Sequence, residues 1–499
     1  DSSLGRKRLN AACSATACDN GVVAMVPLGI VALGVALVGS LRALMPVPDH
    51  RLEVRRTTAA LMRCYEATTV VDGKLDDALE APLKVPPALF GAAFRAATRR
   101  PRKRSAAAAV PFSLEAVPNC VSIVACGPPR RARAERTAVA FVRQLLEDHD
   151  AFETSPRPQK IRKLRYILDV LGRAQSLFSP VFLGVRVRRL QDEGVPGLSR
   201  YTWFEPRDAI ANTSLVYLHG GGFVIGSRYT NGEMVARIAE ATRCRVLLVE
   251  YRRVPEAKFP DALVDALRGV DLALALPGAA PGRLLLGGDS AGGALALAAL
   301  LVLRSGANVV PAAAILLSPL VDLEKRREKY SSELSEVDLL PTDLSNSLST
   351  LLELYAPSGA TLNTRWLRRA HRALVSPAAA TLRQLRSLKE TPVLVHAGEA
   401  EVLRDSIVAW ARRASRAGAS ISLRVFAGEV HAFHAFAFAP GWPAARLDLR
   451  DFVGDALRRR AALDARPSYR QTARSAARRK AAALRDRVTH RAPRAAATA

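Results

Sequence analysis

The chain has 499 residues, 49% hydrophobic and 24% charged, with 31 Gly, 30 Pro and 6 Cys. That balance excludes a disordered polymer, a collagen and a disulfide-stapled mini-protein, and the length leaves room for a large buried core. The net charge of +27 suggests nucleic acid or an anionic surface, but residues 201–455 carry 29 Lys and Arg against 26 Asp and Glu, so the excess belongs to the flanks and no nucleic-acid partner is expected.

In chain order, a polar segment (1–20) precedes an uncharged run, 21–41, reading GVVAMVPLGIVALGVALVGSL. At 1.5 Å per residue this run spans roughly 31 Å as a helix, about one bilayer core. A signal peptide and a buried core helix are rival readings. The run is long for the apolar part of a signal peptide, so a single-pass N-terminal anchor is expected. Residues 42–135 read as helical and then irregular, with basic runs and prolines marking 101–135 as a linker. Helical periodicity resumes in 136–190, where Ala138, Phe141, Val142 and Leu145 share a face, and 136–199 reads as cap helices and the entry to the sheet.

From about 185, and through the expected catalytic domain 200–455, short β-rich runs alternate with mostly Ala/Leu-rich helical segments. Strands are expected at 215–218, 246–249, 284–286, 314–317, 393–395 and 423–426, and helices at 232–242, 261–276, 290–305 and 403–417. Apolar strands alternating with helices imply a mostly parallel sheet covered on both faces. Residues 456–499 form an Arg/Ala tail without an apolar stripe. The cysteines (13, 18, 64, 120, 126 and 244) have no metal-ligand spacing, and neither a metal nor an organic cofactor is expected.

The chemistry concentrates at a few places. Gly287-Gly288-Asp289-Ser290-Ala291-Gly292-Gly293 lies between an expected strand and an expected helix, the setting a Gly-x-Ser-x-Gly nucleophile elbow requires. Ser290 is the candidate nucleophile. Upstream, His219-Gly220-Gly221-Gly222-Phe223 follows another strand, and its consecutive glycines can turn amides toward one point. Gly220 and Gly221, with Ala291 after the nucleophile, are the expected oxyanion donors. His219 is expected to be structural. A serine also needs a base, and the base an orienting acid. Strand 423–426 is followed by His431, with His434 as a competitor, and strand 393–395 by Glu399, Glu401 and Asp405. Spacing from the strand selects His431.

These residues resemble the hormone-sensitive-lipase-like group of α/β-hydrolases, which includes arylacetamide deacetylase, neutral cholesterol ester hydrolase and fungal sterol deacetylases. The resemblance covers about 200–440. It includes the His-Gly-Gly-Gly loop, the Gly-Asp-Ser-Ala-Gly-Gly elbow and the Tyr251-Arg252-Arg253-Val254-Pro255-Glu256 segment with Phe259-Pro260. It implies an α/β-hydrolase fold with a helical cap, a Ser-His-acid triad and an acyl-enzyme route for apolar acyl or acetyl esters. Where the family's acid stands as Asp, this chain has Glu401; Asp405 matches a second acidic position and is the alternative. The resemblance also implies a cap built partly from 136–190, with 331–356 shaping the pocket. Membrane-anchored proteins of this kind face the endoplasmic reticulum lumen, where the sequon Asn212-Thr213-Ser214 would matter. A catalytically inactive small-molecule receptor on the same fold is the rival reading, and retention of His431 argues against it. No obligate protein partner is implied.

Overall fold

The computed structural model describes residues 121–126, 138–146, 158–190, 200–304, 309–323, 334, 337–340, 351, 354–356 and 372–465. All fall in one of two compact units, Lys103–Ala499; the other, Asp1–Arg102, lies outside the described residues, and the expected anchor at 21–41 lies there with it. Among the described residues, no helix is long and apolar enough to cross a membrane.

The strands are β1 (Val121–Val124), β2 (Val185–Leu190), β3 (Arg200–Pro206), β4 (Ser214–Leu218), β5 (Arg245–Glu250), β6 (Leu284–Asp289), β7 (Ala313–Leu317), β8 (Val393–Gly398) and β9 (Ile421–Phe426). Among the described residues they form one nine-stranded sheet in the order β1-β9-β8-β7-β6-β4-β5-β3-β2. Only the β2–β3 and β3–β5 pairs are antiparallel. The helices are α1 (Pro158–Phe178), α2 (Gly232–Thr242), α3 (Asp261–Leu274), α4 (Ser290–Val302), α5 (Arg404–Arg416) and α6 (Trp442–Ala465). This is the α/β-hydrolase fold.

The sequence dictates the layering. β4, β6, β7 and β8 are buried along their whole length, as uninterrupted apolar strands must be when helices cover both sheet faces. α4, reading SAGGALALAALLV, is almost wholly buried. α6 presents Trp442, Ala445, Leu449, Val453, Ala456 and Arg460 as one buried stripe at helical spacing.

Two boundaries differ from the sequence reading. The expected linker 101–135 contains β1, which pairs in parallel with β9, Val121 opposite Leu423. A four-residue edge strand among prolines and arginines carries too short an apolar pattern to stand out. β2, reading VRVRRL, lies in the expected entry to the sheet and lines its other edge with arginines, a composition that discourages further strand pairing. α6 continues past 455 to Ala465, so the first residues assigned to the tail complete the stripe that ends at Arg460, which pairs with Asp464.

α1 comes from the expected cap region and is strapped to the loops after β4 and β5. Its Arg165 donates to the carbonyls of Val224 at 2.8 Å and Val254 at 2.7 Å, and pairs with Glu256 at 2.7 Å.

Candidate active site

Ser290, Glu401 and His431 follow the carboxyl ends of β6, β8 and β9. Those strands run parallel, so residues distant in sequence emerge at one edge of the sheet. β4 lies beside β6, and the loop 219–226 leaves it at the same edge. The chain moves from β4 out to β5 and returns across the sheet to β6. The crevice opens at such a reversal, where open α/β sheets place their ligands.

The elbow is a strained turn. Ser290 has φ +50°, a left-handed conformation that costs a non-glycine residue about 1–3 kcal/mol. α4 begins at this residue, and a Cβ at Gly292 would collide with the carbonyl oxygens of Leu218 and His219. Only glycine allows the helix to start that close to β4. The turn leaves Ser290 9% exposed, and its Oγ lies 2.8 Å from His431 Nε2.

His431 Nδ1 lies 3.3 Å from Glu401 Oε2, with the carboxylate fully buried. Burial alone would depress the imidazole pKa. The hydrogen bond and charge of Glu401, with the charges of Asp338 and Asp289, hold it above its ordinary value instead. Glu401 is pushed up by burial, against the opposing bond and charge of His431. Asp405 stands apart: its side chain is 52% exposed in the first turn of α5 and pairs with Arg404 at 2.9 Å. A neutral imidazole held between a hydroxyl and a carboxylate can take the hydroxyl proton and be stabilised as it charges.

The glycine loop requires a correction. The amide of Gly220, expected to face an oxyanion, donates to Asp289 Oδ1 at 3.0 Å, and the same oxygen accepts from Tyr217 at 3.0 Å. Asp289 is buried against the loop, and burial pushes its pKa up to about 6, leaving it ionised at neutral pH. Gly221 has φ +113° and Gly222 φ +59°. Among the described residues their amides donate to no acceptor. Ala291, in the first turn of α4, keeps one of the amides that a helix N-terminus leaves unpaired. Three amides are therefore free near Ser290, and Gly222 replaces Gly220 among them. Its place in the triplet was visible in the sequence, but which glycine turns its amide inward depends on the positive φ values.

His219 is fully buried beneath the loop and stacked on Tyr251 with ring centroids 4.3 Å apart. Burial depresses its pKa to about 3, so it stays neutral. His434 turns away from the serine and meets His396, Nε2 to Nδ1 at 3.0 Å; His396 in turn reaches Asp448 at 2.9 Å. Tyr355, from the expected pocket segment 331–356, stacks on Phe223 of the glycine loop with centroids 3.9 Å apart.

Residues 215–435 match the family profile described as alpha/beta hydrolase fold. An acetyl-hydrolase of Streptomyces hygroscopicus is 33% identical over 232 residues, 46% of this chain and 71% of that protein. A solved esterase from the bacterial hormone-sensitive lipase family superposes with a TM-score of 0.51 at 29% identity, covering 64% of this chain and 98% of the other. The chain belongs to the hormone-sensitive-lipase family of α/β-hydrolases. It is an enzyme of the carboxylic ester hydrolase class that this family comprises. An ethyl acetate hydrolase of Pseudomonas putida is 31% identical over 238 residues, 46% of this chain and 69% of its own length. These likenesses support the family as a whole, without singling out its arylacetamide deacetylase branch.

Proposed function

We propose that this hormone-sensitive-lipase family member hydrolyses short acyl esters, acetyl esters foremost, through a Ser290–His431–Glu401 triad and an acyl-enzyme intermediate. The observation that carries the reading is the unbroken chain from Ser290 Oγ to His431 Nε2 at 2.8 Å and from His431 Nδ1 to Glu401 Oε2 at 3.3 Å. The preference for acetyl follows the acetyl-hydrolase and ethyl acetate hydrolase likenesses.

In this mechanism Ser290 Oγ attacks the ester carbonyl carbon while His431 Nε2 takes the hydroxyl proton. Glu401 fixes the tautomer through Nδ1–H and stabilises the imidazolium. The tetrahedral oxyanion receives the amides of Gly221, Gly222 and Ala291; one such donor is typically worth roughly 3 kcal/mol of barrier. The C–O bond breaks, the leaving alkoxide takes the proton from Nε2, and the acyl group remains on Ser290. Water then attacks the acyl-enzyme, giving its proton to Nε2, and Ser290 recovers a proton as the acid departs.

A fluorophosphonate probe combined with a p-nitrophenyl ester series from acetate to a long-chain ester tests the reading. Covalent labelling that depends on Ser290, with kcat/KM greatest for the shortest acyl groups, is the expected result. Absence of labelling in the folded protein refutes the triad, and a maximum at long chains refutes the acetyl preference.

We also propose that residues 21–41 hold the enzyme at a membrane, on the strength of that uncharged run alone. The full chain should resist carbonate extraction from membranes, and deletion of 21–41 should release it. Release of the full chain by carbonate would refute the anchor. Asn212 is exposed, so glycosidase-sensitive mobility lost in Asn212→Gln would report a lumenal catalytic domain.

A further inference from the structure

The segment 337–340 brings a carboxylate into the site from outside the triad. Asp338 is fully buried, and both of its oxygens are used by the loops that carry the base and the acid. Oδ1 accepts the backbone N–H of His431 at 2.7 Å, and Oδ2 accepts that of Val402, the neighbour of Glu401, at 2.9 Å. Oδ1 also accepts the N–H of Leu339 at 2.7 Å. From the other side, Arg143 of the helical stretch 138–146 reaches the Asp338 carbonyl at 3.4 Å.

We infer that Asp338 is a positioning residue for the hydrolysis proposed above: one buried carboxylate fixes the spacing of the His431 and Glu401 loops and supplies a second negative charge beside the imidazole. The two loops also meet directly just before the triad residues, Ala400 N–H donating to the Glu429 carbonyl at 2.8 Å, and the 3.3 Å His–Glu contact depends on a constraint at the residues that follow. A carboxylate bridging an amide from each loop supplies that constraint, because charge-assisted hydrogen bonds to backbone N–H are short and strong. Small misplacement of reacting groups is costly, about a hundredfold in rate for roughly 1 Å.

The groups facing His431 are Glu401 from the loop after β8, Asp338 from segment 337–340, Asp289 from the elbow and His434 from the same loop as His431. Asp338 favours the charged imidazole, as Glu401 and Asp289 do. Its removal therefore has two separable consequences, one geometric and one electrostatic.

The test compares Asp338→Asn and Asp338→Glu with wild type, using p-nitrophenyl acetate kinetics normalised to the sites titrated by a fluorophosphonate, so that any unfolded fraction drops out. Asn keeps the shape but has one acceptor and presents a donor to the second amide. Its kcat should fall roughly tenfold to a hundredfold at nearly constant KM. The acid limb of kcat/KM should also move to lower pH, because a charge favouring the imidazolium is gone. The longer Glu keeps the charge and disturbs the spacing, so kcat should fall while the acid limb stays at its wild-type position. A role confined to folding would reduce the number of titrated sites and leave both kinetic readouts unchanged, and that result overturns the inference. Normal Asn kinetics with an unshifted limb overturn it as well. Ser290→Ala, which has no serine to titrate and is therefore assayed per mole of folded protein, keeps the two readings apart: if it retains activity the triad itself is wrong, whereas an inactive Ser290→Ala beside a normal Asp338→Asn refutes only the positioning role.

Discussion

Ser290→Ala should reduce ester hydrolysis by roughly 10^4-fold or more while the protein still folds, because in the proposed triad loss of the nucleophile removes the covalent route and leaves only the oxyanion amides and binding. Single-turnover assays with p-nitrophenyl acetate, alongside thermal melts, read both halves of that statement. The structure adds a second expectation. Ser290 occupies φ +50°, so the strain at the elbow is a cost borne for the exposure of Oγ. Ser290→Gly should be as inactive as Ser290→Ala but raise Tm by roughly 2 °C or more, since glycine adopts that conformation without penalty. Equal melting temperatures for the glycine and alanine variants would show that the turn stores no strain.

Glu401→Gln should reduce kcat by on the order of 10^3- to 10^4-fold, the scale of replacing a triad carboxylate by its amide, which can hold the imidazole in the wrong tautomer. Asp405→Asn, which loses only an exposed pair with Arg404, should stay within about twofold of wild type. The sign of the accompanying pH effect follows from the site. The reaction needs neutral His431, so wild-type kcat/KM rises with pH through an imidazole pKa held above its ordinary value, largely by Glu401. Without the carboxylate, burial dominates and disfavours the imidazolium. The residual activity of Glu401→Gln should therefore rise at lower pH than that of wild type. A larger loss in Asp405→Asn would reassign the acid, and an unchanged acid limb in Glu401→Gln would remove Glu401 from contact with the base.

The parts of this molecule that the sequence announces are those whose physics is local. An elbow must place glycines two residues either side of its serine, and buried parallel strands must be apolar without interruption; each constraint is confined to a few consecutive residues. Strands β6 and β8 and helix α4 are legible for that reason. Asp338 was invisible because its partners are backbone amides 64 and 93 residues further along the chain, which impose no residue pattern. The choice of Gly222 over Gly220 depends on backbone twist within the triplet, and the sequence GGG is the same for either. β1 escaped notice because its stability comes from pairing with β9, three hundred residues away, rather than from its own composition.

The strap formed by Arg165 bears on how little of this protein can work alone. Every reacting group lies between residues 221 and 431, so a fragment cut at residue 200 would keep the whole chemical inventory. It would lose the guanidinium that ties the carbonyls of Val224 and Val254, and with it the outside brace on the loop whose amides the proposed mechanism turns toward the oxyanion. That brace and the edge strand at 121–124 both lie well upstream of Gly221, so a fragment meant to work should begin before residue 121.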